Sequence, residues 1–229
     1  MGHYYNPVIS SPDALALNID AANIRSYAGT GNTCFDLSSY SNQGALTSVT
    51  FAGSGGTGAF VYNGTSSIIN LGTPSGANVT TSWTLESWIN PTNAGATNAG
   101  RVYSHSTGSL TGFVCALDNS AVTNGIQLNT YAVSGFSARI GNCITDGSWQ
   151  QVVWAFSAGS VTFYVNGAAV GASSVTSPSA YTGTDYIGNQ AGTANTFNGS
   201  IGIIRLYRST LAATEILQNF NAQRSRYGI

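Results

Sequence analysis

The sequence predicts an all-β domain, an antiparallel sandwich or barrel carrying one short C-terminal helix. Three observations lead there. About a dozen short segments alternate in hydrophobicity and are bounded by Gly, Asn, Ser or Pro. Asn166-Gly167 stands between two Val-rich segments, the signature of a tight hairpin. Only one stretch, from about Thr214, carries helical periodicity, with Ile216 and Phe220 one turn apart.

In chain order, residues 1–12 are polar and proline-marked and read as an extended N-terminal arm, with the domain proper over 13–229. Residues 14–21 alternate Leu15, Leu17 and Ile19 against Ala16, Asn18 and Asp20, a half-buried strand. Residues 26–46 read as a turn-rich loop. A hairpin with a glycine-rich connection follows over 47–64, then a short strand around Ile68. In WTLESWINP, Trp83, Leu85, Ser87 and Ile89 share one face and Thr84, Glu86, Trp88 and Asn90 the other. Trp88 on the second face predicts that both faces are covered, and Pro91 ends the strand. Four short strands follow between residues 100 and 142, then WQQVVWAFS, the Asn166-Gly167 hairpin, TDYIGNQ and NGSIGIIRLYR. The helix lacks a capping side chain, because the position three before Glu215 is Ala212. Docking of Ile216 and Phe220 must compensate, and Arg224 and Arg226 are placed to favour the helix dipole. There is no internal repeat.

Composition narrows the function. Of 229 residues only 7% are charged, against roughly 25% in an average domain. All seven basic residues are Arg and the net charge is −1. Without a basic patch, nucleic acid is not an expected partner. A surface of Ser, Thr, Asn and Gly repels neighbours weakly, which suits packing against other subunits or further copies of the chain. No apolar run reaches the roughly 18–20 residues of a membrane span, and the N-terminus does not read as a secretory signal. The sequons at Asn63, Asn78 and Asn198 then read as chance matches. Cys34, Cys115 and Cys143 are widely separated, which argues against a metal knuckle; they read as core residues, with Cys115–Cys143 the pair to test for a bridge.

Five landmarks together resemble the laminin G-like, concanavalin A-like lectin/glucanase family. They are WTLESWINP (83–91), WQQVVWAF (149–156), VTFYVNG (161–167), YIG (186–188) and FNGSIGIIRLYRSTLAATEI (197–216). The resemblance implies a two-sheet antiparallel jelly-roll β-sandwich. Asp20, Ala21, Ala22, Asn23, Ser26, Tyr27, Gly29, Gly31, Asp36, Leu37 and Ser38 match a subtype found in virion proteins of tailed bacteriophages, notably of marine and cyanobacterial hosts. Cys34 stands where that subtype usually has an aromatic residue. This implies a virion location and other virion proteins as partners, as capsid decoration or a fibre.

The chemistry is that of binding. Hydrolases of this fold carry an E-x-D-x-x-E strand; this chain has two Glu, Glu86 and Glu215, far apart, and no enzymatic activity is expected. Where relatives often have an acidic pair, this chain has Gly202 and Ile203, so calcium is disfavoured, leaving Asp118, Asn119 and Asp185 as loop donors. No cofactor or metal is expected. The expected ligand face, for a host surface glycan or a docking protein, is formed by Arg101, Tyr103 and His105 on one strand, Gln127, Asn129 and Tyr131 on another, and Arg139.

Overall fold

The two tryptophan segments form neighbouring strands at the centre of one sheet. The computed structural model describes residues 9–53, 55–106, 111–132, 135–190 and 195–229. Its strands begin with β1 (Leu15–Asp20), β2 (Thr33–Phe35), β3 (Gln43–Thr47), β4 (Thr50–Ala52), β5 (Ala59–Asn63) and β6 (Ile68–Asn70). Then come β7 (Ser82–Pro91), β8 (Arg101–His105), β9 (Gly112–Asp118), β10 (Gly125–Tyr131) and β11 (Gly135–Ile140). The last are β12 (Gln150–Ser157), β13 (Ser160–Val165), β14 (Ala168–Ser174), β15 (Tyr186–Ile187) and β16 (Asn198–Tyr207), followed by helix α1 (Ala213–Gln223).

Two eight-stranded antiparallel sheets result. The first runs β14-β13-β12-β7-β16-β5-β4, with β1 on the second half of β16; the second runs β11-β10-β9-β8-β15-β6-β3-β2. Their inner faces meet in one apolar core, where Trp83 of the first sheet stacks on Phe113 of the second at 4.0 Å between ring centroids. Trp154 crosses the same gap and donates to the Gln127 carbonyl at 3.0 Å. This is the predicted two-sheet sandwich with a short C-terminal helix. Asn166 and Gly167 both have positive φ (51° and 78°), as the predicted tight hairpin requires. Both faces of β7 are buried as expected: Trp83, Leu85 and Ile89 inward, and Trp88 outward against Ile203, Phe220 and Tyr227.

The stretch 26–46, expected as loop throughout, contains the edge strand β2 and most of its neighbour β3, which pairs with β2 and β6. Buried Gly44 and Leu46 alternate with exposed neighbours. Small and turn-forming residues conceal that alternation in the sequence. The turns around these strands are built on Asp36 and Ser26. Asp36 accepts from the Asn18 and Ser38 amides, each at 2.8 Å, and Ser26 Oγ donates to the Phe35 carbonyl at 2.6 Å. The suspected Cys115–Cys143 bridge is not formed: all three cysteines are free. Cys115 points into the core from mid-β9, whereas Cys143 lies beyond β11 with its thiol turned to the Ile140 carbonyl. Burial pushes the Cys34 thiol up to about 12.

Of the predicted arm, residues 1–8 lie outside the described residues. Ser10 and Ser11 are held on α1. The Ser10 amide donates to Asn219 Oδ1 at 2.8 Å and Ser11 Oγ donates to Glu215 Oε1 at 2.5 Å. Glu215 Oε2 accepts from the Ala212 amide at 2.8 Å, so the helix start keeps half a capping box despite the alanine. Arg224 is the C-cap residue of α1, near the helix end as expected, and both arginines also take other partners. They fall in the following 3-10 turn, where Arg224 reaches the Ile229 carbonyl and Arg226 grips both oxygens of Asp20 at 2.6 and 2.8 Å.

The Ser11 hydroxyl, then the Ala212 amide, hold the Glu215 carboxyl below its usual range. A depressed carboxylate contributes stability above its unfolded pKa and loses it as pH falls through the folded value. Glu215→Gln, which cannot accept at both ends, is expected to cost about 0.5–1 kcal/mol at neutral pH. Thermal melts of the variant and parent should converge as pH falls towards 3, within the carboxylate range; a constant gap would show that charge plays no part.

Candidate ligand-binding face

The expected face is built on β8–β11, and one irregularity decides its membership. Arg101 pairs with Ala116 but Tyr103 pairs with Cys115, so Val102 is an extra residue in the β8–β9 ladder. A one-residue bulge inverts the side-chain alternation beyond it. Arg101 therefore points outward with Ala116, while Tyr103 and His105 turn into the sandwich, 0% and 3% exposed. The expectation that these three share one face is corrected here. Both inner residues are engaged with Asp185: His105 Nδ1 lies 2.8 and 2.9 Å from its two oxygens, and the Tyr103 hydroxyl donates to it. Burial raises the Asp185 pKa, and the hydrogen bonds from His105 and Tyr103 pull it only part of the way back. Tyr181 and Phe113 pack on the imidazole.

The other four expected residues do share the outer face. Gln127 stands opposite Ala116 and Arg139, Asn129 opposite Val114 and Ser137, and Tyr131 one step further along β10. Gln127 is buried and donates to the Leu117 carbonyl at 3.2 Å; Asn129 and Tyr131 are half-buried. Arg139 forms an ion pair with Asp118 at 2.8 Å. Asp118 also accepts from Ser120 Oγ at 2.7 Å and from the Ser120 amide at 2.8 Å. Burial would raise the Asp118 pKa, but those hydrogen bonds and Arg139 together outweigh it and lower it. Asp118 and Asp185, the carboxylates reserved for calcium, are thus committed to separate internal partners. Among the described residues no group of three or more His, Cys, Asp or Glu is placed to hold a metal ion.

Arg101 is different. Its Nε and Nη1 are buried without a hydrogen-bond partner. Burial lowers its pKa, opposed by the Tyr131 phenol. Two neighbours on this face escaped the sequence reading. Ser104 is fully buried with its Oγ unpartnered, and Tyr186 stands opposite Ser104 across the β8–β15 ladder, half-buried. Strand β15 is two residues long, too short to show alternation, so only the ladder could place Tyr186.

The opposite side of the sandwich is closed. Gly202, the bulge in β16, leaves room for the Tyr227 hydroxyl: a Cβ there would lie 2.3 Å from it. Ile203 is buried against Trp88, Phe220 and Tyr227. Gly202 and Ile203, where the resemblance leads an acidic pair to be expected, are thus covered by α1 and the C-terminal turn. No described helix is long and apolar enough to cross a membrane.

Comparisons with known proteins agree with this architecture. The structure is similar to the binding domain of Paraclostridial Mosquitocidal Protein 1, at TM-score 0.72 and 13% identity, over 92% of this chain and 52% of that one. It is also similar to domain 4 of AbnA, a GH43 extracellular arabinanase from Geobacillus stearothermophilus, in complex with arabinotriose. There the TM-score is 0.66 and the identity 16%, over 90% of this chain and 97% of that one. A third similar structure is the botulinum neurotoxin serotype D ligand binding domain in complex with N-acetylneuraminic acid, at TM-score 0.67 and 12% identity, over 93% and 52%. The chain spans about half the length of the toxin domains it matches. At these identities the likeness establishes the fold. No curated protein matches the sequence. The family profile for the concanavalin A-like lectin/glucanases superfamily matches residues 63–217, from the end of β5 into the first half of α1. With more than half its length inside that match, the chain belongs to the concanavalin A-like lectin/glucanases superfamily, as a laminin G-type domain.

Proposed function

We propose that this domain is a non-enzymatic, lectin-like binding module whose ligand surface is the outer face of the second sheet. The observation that carries the reading is an asymmetry. The outer face of the first sheet is closed by α1, Ser10 and Ser11. The second sheet presents Arg101, Asn129, Tyr131 and Tyr186, with polar groups of Arg101 and Ser104 uncommitted inside the protein. Aromatic rings beside planar polar groups suit a sugar, which offers apolar C–H faces and a rim of hydroxyls. Two similar structures were determined with a saccharide bound, which supports the class of ligand. Glu86 and Glu215 are each occupied by internal hydrogen bonds, which supports binding without turnover.

A glycan array probed with the intact chain, with and without calcium, tests this. Binding reduced at least tenfold by Tyr131→Ala is expected, since stacked rings contribute about 0.5–1.5 kcal/mol beyond their buried area. No binding at high protein concentration, in either condition, rejects the reading.

The setting we propose is a tailed-phage particle, where the module decorates the capsid or forms part of a fibre and meets virion proteins through its closed side. The motif centred on Asp20, Ser26, Asp36 and Ser38 favours it, because these residues are the ones that shape the β1–β3 turns. Mass spectrometry of purified particles decides the matter: absence of the chain from intact virions sinks the proposal.

A further inference from the structure

The described residues contain four close pairs of opposite charge: His105–Asp185, Arg139–Asp118, Arg205–Glu86 and Arg226–Asp20. Arg101 belongs to none of them, although two of its nitrogens are buried. Its neighbours on β9 are Ala116, directly opposite, and Val114, opposite Ser104. Neither side chain can accept a hydrogen bond. Ser104, on the same face, is 0% exposed and its hydroxyl is equally unpartnered. Guanidinium nitrogens removed from water and left without an acceptor are an unfavourable feature for a fold to retain. Among the described residues the titratable group that opposes its burial is Tyr131, a phenol rather than a carboxylate.

Two polar side chains on one face thus share a deficit of the same sign: both can donate, and neither has an acceptor. A planar anion with two acceptor oxygens satisfies both, and the guanidinium fork matches a carboxylate in shape as well as charge. The half-buried rings of Tyr131 and Tyr186 and the Asn129 amide lie on the same outer face, where a sugar ring carrying that group would rest.

We propose that this face selects acidic glycans, with the carboxylate of a uronic or nonulosonic acid residue paired to Arg101 and Ser104. The inference rests on the glycan-binding reading above and narrows its ligand class.

The test uses the intact chain on an array of uronate- and nonulosonate-containing oligosaccharides. Beside them stand their carboxyl-reduced counterparts and sulfated oligosaccharides. Acidic members should bind the parent at least about tenfold tighter than the reduced ones, the scale of a hydrogen bond to a charged group. That preference should shrink from about 50 to about 500 mM salt, as screening shortens the reach of the charge. Arg101→Gln should bring acidic ligands down to the reduced ones without lowering the melting temperature. Arg101→Lys should keep the salt dependence and lose the preference for carboxylate over sulfate. Ser104→Ala should weaken acidic ligands by about threefold, a neutral hydrogen bond's share. Equal binding of acidic and reduced glycans, unaltered in Arg101→Gln, overturns the acidic-ligand inference and leaves the lectin reading standing. Tighter binding of sulfated members overturns the carboxylate assignment. Failure of every saccharide to bind the parent overturns both.

Discussion

Glu86→Ala is expected to destabilise the domain by about 3–5 kcal/mol, the range for leaving a buried charge unpaired. At about 2–4 °C per kcal/mol for a chain of this size, that is a fall in melting temperature of about 6–20 °C. Glu86 is 1% exposed and lies beneath α1. Its Oε1 accepts from Gln151 at 3.0 Å and from Arg205 Nη1 at 3.3 Å; its Oε2 accepts from Asn219 at 2.9 Å and from the Tyr207 hydroxyl at 3.3 Å. One carboxylate therefore joins β7, β12, β16 and α1. Through Asn219 it also reaches Ser10 of the N-terminal segment. Burial lowers the Arg205 pKa, but Glu86 first, then Tyr207, Asp20 and Tyr227, together more than restore it. Removing Glu86 strands that cation and three further donors. Glu86→Leu with Arg205→Met removes both charges together and should recover most of the loss, because the pair itself is worth little against apolar packing. Circular-dichroism melts of parent, single and double variants check both statements. A single variant within about 1 kcal/mol of the parent, the scale of an exposed pair, would show that water reaches the site.

The sequence announced this carboxylate only as an isolated Glu in a tryptophan strand, and the difference is instructive. Elements held by local rules were legible. The alternation in β7 and β12 and the Asn-Gly turn between β13 and β14 act over a few residues, and the structure repeats them. What depends on distant partners was not. The cap of α1 comes partly from Ser11, 204 residues away, so the local pattern showed only a missing side chain at Ala212. The edge strand β2 is only three residues long, and β3, held between β2 and β6, begins with Gln43, Gly44 and Ala45, residues of low strand propensity. In the candidate face, period-two counting placed Gln127, Asn129, Tyr131 and Arg139 correctly because β10 and β11 are regular. It misplaced Tyr103 and His105 because the single extra residue at Val102 reverses parity, and nothing in the local sequence marks it. Ser104 and Tyr186 meet across 82 positions of sequence, and only the ladder reveals it.

Gly188→Ala is the second large effect expected, a loss of about 2–4 kcal/mol, and it tests how the candidate face is held in place. Gly188 closes the YIG motif with φ 79°. A side chain in that region costs about 1–2 kcal/mol through its own backbone. A Cβ there would also lie 1.9 Å from Cε1 of Tyr62, a ring 1% exposed and packed edge-on against Phe197. Forcing volume into such a site adds about 1–3 kcal/mol. The position is also a junction. The Gly188 amide donates to the Val102 carbonyl at the bulge, and its own carbonyl accepts from the Phe197 amide at 2.8 Å, at the entry to β16. The Arg101 amide, beside that bulge, donates to the Asn195 carbonyl at 2.9 Å. The same glycine that spares Tyr62 thus fixes the backbone from which Arg101 projects. Gly188→Ala should lower the denaturant midpoint and weaken acidic-glycan binding together, whereas Arg101→Gln should weaken binding alone. Denaturant unfolding and glycan titration of the two variants side by side separate these outcomes. An unchanged midpoint in Gly188→Ala would mean that the Tyr62 ring has room to retreat and that the backbone bonds to Val102 and Phe197 survive the substitution.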